Sequence, residues 1–439
     1  MDWFIYVKFA VNKLSNLNMN KNIFLLLLAC CPLTVFASRT ITVSVTNPMN
    51  IARADEPIKI DLTSYGTVCS AMVTQNGQEI PCQLDDLDKN NTFDELCFLV
   101  DLDKKEKKEY TVTLLDEGEP RPYPARVYAE MVLANTKDKT LKKNQQNNYI
   151  ESLTARGDAA YTYNVQHHHG VDFESELNGI RIYFDERQTL DLYGKFKKQL
   201  ELKETQFYTD DDQKARGYGD DVLWVGQTFG LGAFRGWDGQ QPTHVKPVKT
   251  RTQRIISYGP LRTIIEVIDQ GWQAPSTISH PRNATLSKRE PSAINMTLRY
   301  IQYAGHRDTD VEVIFNKDVS DYRFSTGIIN VKGSEEFSDK HGLRACWGTD
   351  YPSTDTLKWK RETVGLAVLV PQQNIVSEEP ANKDNYTYVL KVEGRQMNYK
   401  VTYTSANETF GYHSAKEWFD YLKAWRKEVE TPVIVELKL

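Results

Sequence analysis

A chain of 439 residues exceeds the usual size of one domain, so two domains, or one large β domain with an appendage, are expected. Its 54 basic and 59 acidic residues leave a net charge of −5 and no field of either sign, which argues against nucleic acid as a partner. The 23 tyrosines and 8 tryptophans offer flat apolar faces with polar edges, suited to sugar rings and equally to sandwich cores.

Along the chain, Met19-Asn20-Lys21-Asn22, the apolar run IFLLLLACCPLTVF and Ala37-Ser38 read together as an export signal over residues 1–37. The apolar run is too short to cross a bilayer, so no membrane span is expected, and the mature protein is assigned to the periplasm or the exterior. The rival reading is a lipoprotein anchored at Cys30. Beyond the signal, Cys69, Cys82, Cys97 and Cys346 have no CxxC spacing, so no zinc or redox motif is read. A disulfide among the first three is permitted in an exported protein, and small buried thiols in strands are the other reading.

From Arg39 to about Leu115, the runs ITVSVTN, PIKIDL, CSAMVT, LCFLVDL and YTVTLL alternate between turn-like clusters, which predicts an Ig-like β-sandwich over 39–116. Pro120, Pro122 and Pro124 cannot donate to a ladder, so a stiff linker follows. Residues 125–439 then carry ten or more further alternating runs with hardly a helical period, which calls for a large β-sandwich or barrel as the putative catalytic domain. The exception begins at Ser414, where a capping box opens a helix with Trp418, Phe419, Leu422, Trp425 and Val429 on one face. VIVELKL then returns as a final strand. The run Asp210-Asp211-Asp212 reads as a solvated loop, since it lacks the further spaced oxygens of an EF-hand.

The stretch HHHGVDFESELNGIRIYFDERQTLDLYGK, residues 167–195, concentrates the chemistry. In an extended segment Asp172, Glu174 and Glu176 share a face, and three like charges in a row need solvent, a cationic neighbour or a bound metal. With Ile180, Ile182 and Phe184 turned to the core, Arg181, Tyr183 and Asp185 share the opposite side. A guanidinium can clamp a carboxylate there while a phenol moves a proton. Adjacent histidines on a strand point to opposite sides, so His167, His168 and His169 cannot all reach one ion, and no metal ligands are assigned. His168 or His169 is taken as acid or base instead, with Gly170 letting the chain turn close to a substrate. Further on, Asp221, Trp224 and Trp237 in a glycine-dense stretch form a candidate sugar rim, and Tyr303, His306 and Arg307 repeat the same chemistry at a strand end. An ordinary wet sheet face is the alternative for each set. No GxSxG elbow, HExxH or dinucleotide fingerprint is present.

HGVDFESELNGIRIYFDERQTLDLYGK and DDVLWVGQTFGLGAFRGW together resemble the exported bacterial family known as domain-of-unknown-function family 4861, as do TITVSVTNPMNIARADEPIKIDL and the aromatic C-terminal helix. Its members are commonly encoded beside enzymes that degrade pectic and other uronic-acid glycans, which implies a carbohydrate substrate. The implied fold is a large sandwich akin to the galactose-mutarotase-like supersandwich of several polysaccharide lyases. At LWVGQTFGLGAFRGW the chain departs from the family, where smaller residues are more usual.

The expectation is therefore an all-β, secreted carbohydrate-active enzyme acting on an oligo- or polysaccharide of uronic-acid, pectin-like type, with a polysaccharide lyase as the leading reading. His168, His169, Arg181, Tyr183 and His306 are the catalytic candidates. Glu174, Glu176, Asp221, Trp224, Trp237, Tyr303 and Arg307 are the candidates for holding substrate. The alternatives are a glycoside hydrolase using two of Asp172, Glu174, Glu176 and Asp185, and a glycan-binding protein without catalysis. Calcium is left open as a cofactor.

Overall fold

The computed structural model describes residues 38–135, 140–275 and 293–438. The stretch read as an export signal, with Cys30, lies outside the described residues. Strands dominate because apolar and polar residues alternate with period two, and each run turns its apolar set inward.

Near the N-terminus, Ser38–Thr46, Ser70–Gln75, Gln78–Ile80 and Lys107–Leu115 form one antiparallel sheet, and Arg53–Asp61, Cys82–Asp85 and Glu95–Leu102 form a second. Ile41, Val43, Val45, Phe98, Tyr110 and Val112 fill the space between them. The last strand, Ile434–Lys438, leaves the body that precedes it and pairs antiparallel with Ser38–Thr46, so the two ends of the described chain share one sheet. Residues 116–126 carry no strand, as three prolines dictate, and the Tyr123 hydroxyl donates to Glu79.

The larger body stacks a nine-stranded antiparallel sheet against two five-stranded sheets. Val267, Leu298, Val311, Val368 and Val401 of the wide sheet meet Phe173, Ile180, Ile182 and Leu192 of one partner and Phe324, Tyr388 and Leu390 of the other in a single core. This is a sandwich rather than a barrel. The back of the wide sheet is covered twice. Ile256, Ile264, Ile301 and Tyr303 pack on Cys97 and Leu99 of the small sandwich. Leu343, Ala345, Ala367 and Leu369 receive Trp418, Leu422 and Trp425 of the helix Ala415–Glu430.

That helix starts where the sequence places it, with the Ser414 hydroxyl accepting from the Glu417 N–H. Gly365 permits its close approach, because a Cβ there would stand 2.8 Å from the Trp418 ring. Two short helices were not expected. Asp210 caps Asp211–Ala215 through a reciprocal box with Gln213, so the triple-aspartate run is a helix start whose acids face the positive end of the dipole. The other is Leu202–Thr205. Cys69, Cys82, Cys97 and Cys346 are free thiols, and burial pushes Cys82 up to about 11 and Cys97 up to about 12. Among the described residues no helix is long and apolar enough to cross a membrane.

A buried ion pair ties the small sandwich to the wide sheet. Arg262, fully buried, donates through Nε and Nη2 to Asp85 at 2.8 and 2.5 Å, and its Nη1 lies 2.6 Å from Glu95. Asp85→Ala leaves Nε and Nη2 unpaired in the interior, with Glu95 beside Nη1 alone. The expected loss is about 3–5 kcal/mol, read as a lower urea midpoint. Converting both partners to apolar residues, Arg262→Met with Asp85→Leu, should recover most of it, as replacing a whole buried pair often does.

Candidate active site

The five-stranded sheet made of Val127–Glu130, Gly170–Ser175, Gly179–Tyr183, Leu190–Gly194 and Asp220–Asp221 has two unlike faces. Val171, Phe173, Ile180, Ile182, Leu190 and Leu192 enter the core. The residues between them point the other way, and the antiparallel register lines them up across the strands. Asp172 stands opposite Glu130 on one side and Arg181 on the other, and Arg181 stands opposite Asp191. Four ionisable groups thus form one row. The face is not wet, because segments around His167 and Phe207 lie over it and all four residues of the row are buried.

Within the row Arg181 is the hub. Its Nε and Nη2 donate to Asp191 Oδ2 at 3.0 and 2.6 Å, and Nη2 also reaches Asp221 Oδ2 at 3.0 Å. The Tyr183 hydroxyl donates to the same Asp191 oxygen at 2.8 Å. Phe207 covers the guanidinium, 4.2 Å from its ring centroid. Burial works against the charge of Arg181, but Tyr183, Asp191 and Asp221 outweigh it and hold the group cationic. Burial raises the Tyr183 phenol well above its ordinary range and keeps it a proton donor. Asp221 is likewise raised, first by burial and then by the neighbouring Asp191.

His169 sits beside this cluster in a left-handed backbone conformation, φ 70°, with its ring 6.2 Å from that of Tyr183. Its Nδ1 lies 3.3 Å from the Tyr163 carbonyl oxygen, so a proton on Nδ1 leaves Nε2 as the acceptor. Burial, with Arg181 nearby, lowers it to about 4. His168 is fully buried, and its Nε2 lies 3.5 Å from both Glu130 Oε1 and Asp172 Oδ2. His167 packs on Tyr208 instead, and Lys143 lies over that ring. Directly after Asp221, Val222–Thr228 line a cleft of about 750 Å³ with Asp350, Tyr351 and Glu362, and Trp224 stands half exposed on its wall.

Other candidates lie elsewhere. Glu174 is not a substrate ligand, for Lys195 binds it at 2.5 Å and the N–H groups of Glu201 and Leu202 donate to it in full burial. Glu176 joins Arg126 at 2.6 Å and accepts from the Gly305 N–H, which makes it part of a junction between bodies. Trp237 is buried in the other five-stranded sheet. Tyr303 is buried against the small sandwich. Arg307 is pinned to Glu408 at 2.7 Å. His306 lies far along the chain at that same junction, with Nε2 donating to the Asp55 carbonyl at 2.8 Å and Nδ1 3.3 Å from Asp308. Gly170 serves close packing rather than a ligand, since a Cβ there would lie 1.7 Å from the Ile182 carbonyl oxygen.

Four further partners complete this face. Glu130, Asp191, Phe207 and Tyr208 come from runs that look like plain strand or loop. The weak signal for two of them was an acid between inward apolar neighbours, Leu190-Asp191-Leu192 and Ala129-Glu130-Met131.

A family described as Domain of unknown function (DUF4861) matches residues 45–435. No curated protein matches the chain. Among solved structures, a protein in the glycosyl hydrolase family 38 from Enterococcus faecalis is similar at 10% identity and a TM-score of 0.45, over 91% of this chain and 47% of that one. An alpha-mannosidase from Enterococcus faecalis V583 is similar at 10% identity and a TM-score of 0.44, over 91% of this chain and 46% of that one. The chain therefore spans about half the length of these proteins.

The junction histidine has a consequence for stability. Burial opposes its charge, but Asp308 and the Asp55 carbonyl outweigh burial and the facing Lys400, and raise His306 to about 9; Glu428 also faces it. A folded pKa above the unfolded value of about 6.5 stabilises the native state fully below that pH, and the contribution fades as pH climbs through about 9. Urea unfolding between pH 6 and 10 should show this decline, and His306→Asn should flatten it.

Proposed function

The chain belongs to the DUF4861 family, and from its covered sheet face we propose that it is a carbohydrate-active enzyme that cleaves uronic-acid-containing, pectin-like glycans by β-elimination. The observation that carries this reading is the gathering of a guanidinium, a phenol and an imidazole, Arg181, Tyr183 and His169, with Arg181 held by Asp221 immediately before the segment that walls the cleft of Trp224 and Tyr351. Elimination needs those three functions. The uronate carboxylate must be neutralised so that the adjacent C–H becomes acidic, a base must take that proton, and the departing glycosidic oxygen must receive one.

Arg181 supplies the first function. Its Nη1 is buried without a hydrogen-bond partner, which leaves a donor for an incoming carboxylate. His169 Nε2 takes the C5 proton, the electron pair forms the C4–C5 double bond, and the C4–O bond breaks. Tyr183 then protonates the leaving oxygen. Trp224 offers a stacking surface at the cleft, whose wall begins at Val222, the residue after the Asp221 that holds Arg181.

Paired-carboxylate hydrolysis is less well supported. Glu174, Glu176 and Asp185 are each held in ion pairs, with Lys195, Arg126 and Arg187 respectively. The N-terminal signal pattern supports action in the periplasm or outside the cell.

Incubation with polygalacturonate and related uronate oligosaccharides should yield an unsaturated product absorbing in the near ultraviolet. His169→Ala and Tyr183→Phe should each reduce its rate by roughly 10²–10⁴-fold, as expected on removing a general base or acid. Trp224→Ala should raise KM more than it lowers kcat. New reducing ends without absorbance would replace this reading with hydrolysis, and binding without either signal would replace it with a glycan-binding role.

A further inference from the structure

The row of charges contains two acids, Asp172 and Glu130, that the proposed reaction does not use. Of the three acids that alternate along 172–176, Glu174 has Lys195 and Glu176 has Arg126. Asp172 has neither solvent nor a hydrogen-bond partner for either oxygen, although it is fully buried. Its neighbours are in the same condition. Glu130 Oε1 and both ring nitrogens of His168 are buried and unpartnered, with Glu130 2% and His168 0% exposed. Three polar side chains converging in this way are costly in a protein interior unless something binds them together.

The geometry points to a metal: we propose that Glu130 Oε1, His168 Nε2 and Asp172 Oδ2 bind one divalent transition cation of the zinc or manganese type. The imidazole nitrogen lies 3.5 Å from each carboxylate oxygen, and the three donor atoms all fall within 4.8 Å of one another. At zinc–ligand lengths of about 2.1 Å, a separation of that size subtends roughly 110° at the ion, near the tetrahedral angle. The Tyr128 hydroxyl donates to Glu130 Oε2 at 2.7 Å, which orients the carboxylate so that Oε1 is left for the ion. A nitrogen donor and two carboxylates suit zinc or manganese better than calcium, which takes six to eight oxygens. Three protein ligands leave a fourth position for water or a ligand oxygen.

The site also has a structural consequence. Glu130 ends one strand, Asp172 lies in its neighbour, and His168 precedes that neighbour, so the ion would staple the returning chain to two strands beside Arg181.

The all-oxygen group Asp86, Asp88 and Asp94 in the small sandwich does not share these features. Its carboxylates already accept the N–H groups of Leu87, Asn90 and Asn91.

The test uses the full chain stripped with a chelator and titrated with Zn²⁺ or Mn²⁺ alone, followed by calorimetry, metal analysis and thermal unfolding. One ion per chain and a Tm higher by several degrees are expected. Asp172→Asn and Glu130→Gln should each weaken binding at least about tenfold, since loss of an outer-shell partner alone costs that much, and His167→Gln should retain it. Neither amide variant should unfold at a lower temperature than the metal-free parent. X-ray absorption of the zinc-loaded wild type should show one imidazole with oxygen ligands, which needs no variant. No uptake by the wild type, unchanged affinity in Asp172→Asn and Glu130→Gln, or a shell with sulfur or several imidazoles would overturn the assignment. These readouts do not depend on glycan cleavage, so failure of the elimination reading leaves them intact.

Discussion

The structure turns on how Arg181 is held. A guanidinium on a sheet face, roofed by Phe207 and removed from water, is tolerable only because Asp191 and Asp221 take the donors of Nε and Nη2 and Tyr183 closes the same network. The antiparallel register makes this arrangement. It sets Asp191 directly across from Arg181 and Asp172 on the other flank, so strand pairing and charge pairing are one constraint. A slip of one residue would turn every one of these groups into the core and the isoleucines out to the polar layer.

Beneath that face, the wide sheet acts as the common wall of the molecule. Its front builds the large core, and its back carries the small sandwich and the C-terminal helix. The bodies meet through buried or half-buried ion pairs, Arg262 with Asp85 and Arg126 with Asp55 and Glu176, while Arg307 pairs with Glu408 inside the larger body. This explains why residues with catalytic chemistry can be structural. Arg307, His306 and Glu176 are reactive types, yet each is occupied by a partner, the last two at the junction, and an occupied group has little left for a substrate.

The same logic separates the acids of the first motif. Alternation places Asp172 and Glu174 on one face, and their fates diverge only with their neighbours. Lys195 is twenty-one positions after Glu174 and reaches it because the strand Leu190–Gly194 folds back across the sheet. Asp172 meets another acid and a histidine instead. Three similar positions in the sequence thus become a salt bridge, a junction contact and a candidate metal ligand.

By itself the sequence determined the class of fold. Period-two alternation set the strands and assigned Ile180 and Ile182 to the core and Arg181 to the opposite face, and the serine cap with its aromatic stripe located the C-terminal helix. These are local properties, written within a few residues. Tertiary structure alone decided that Glu130 and Asp191 flank Asp172 and Arg181, that the polar face is roofed rather than wet, and that His306 belongs to a junction while Arg307 is taken by Glu408. Those outcomes depend on the register and packing of segments tens to hundreds of residues apart, and no local pattern encodes which distant group will neutralise a given charge.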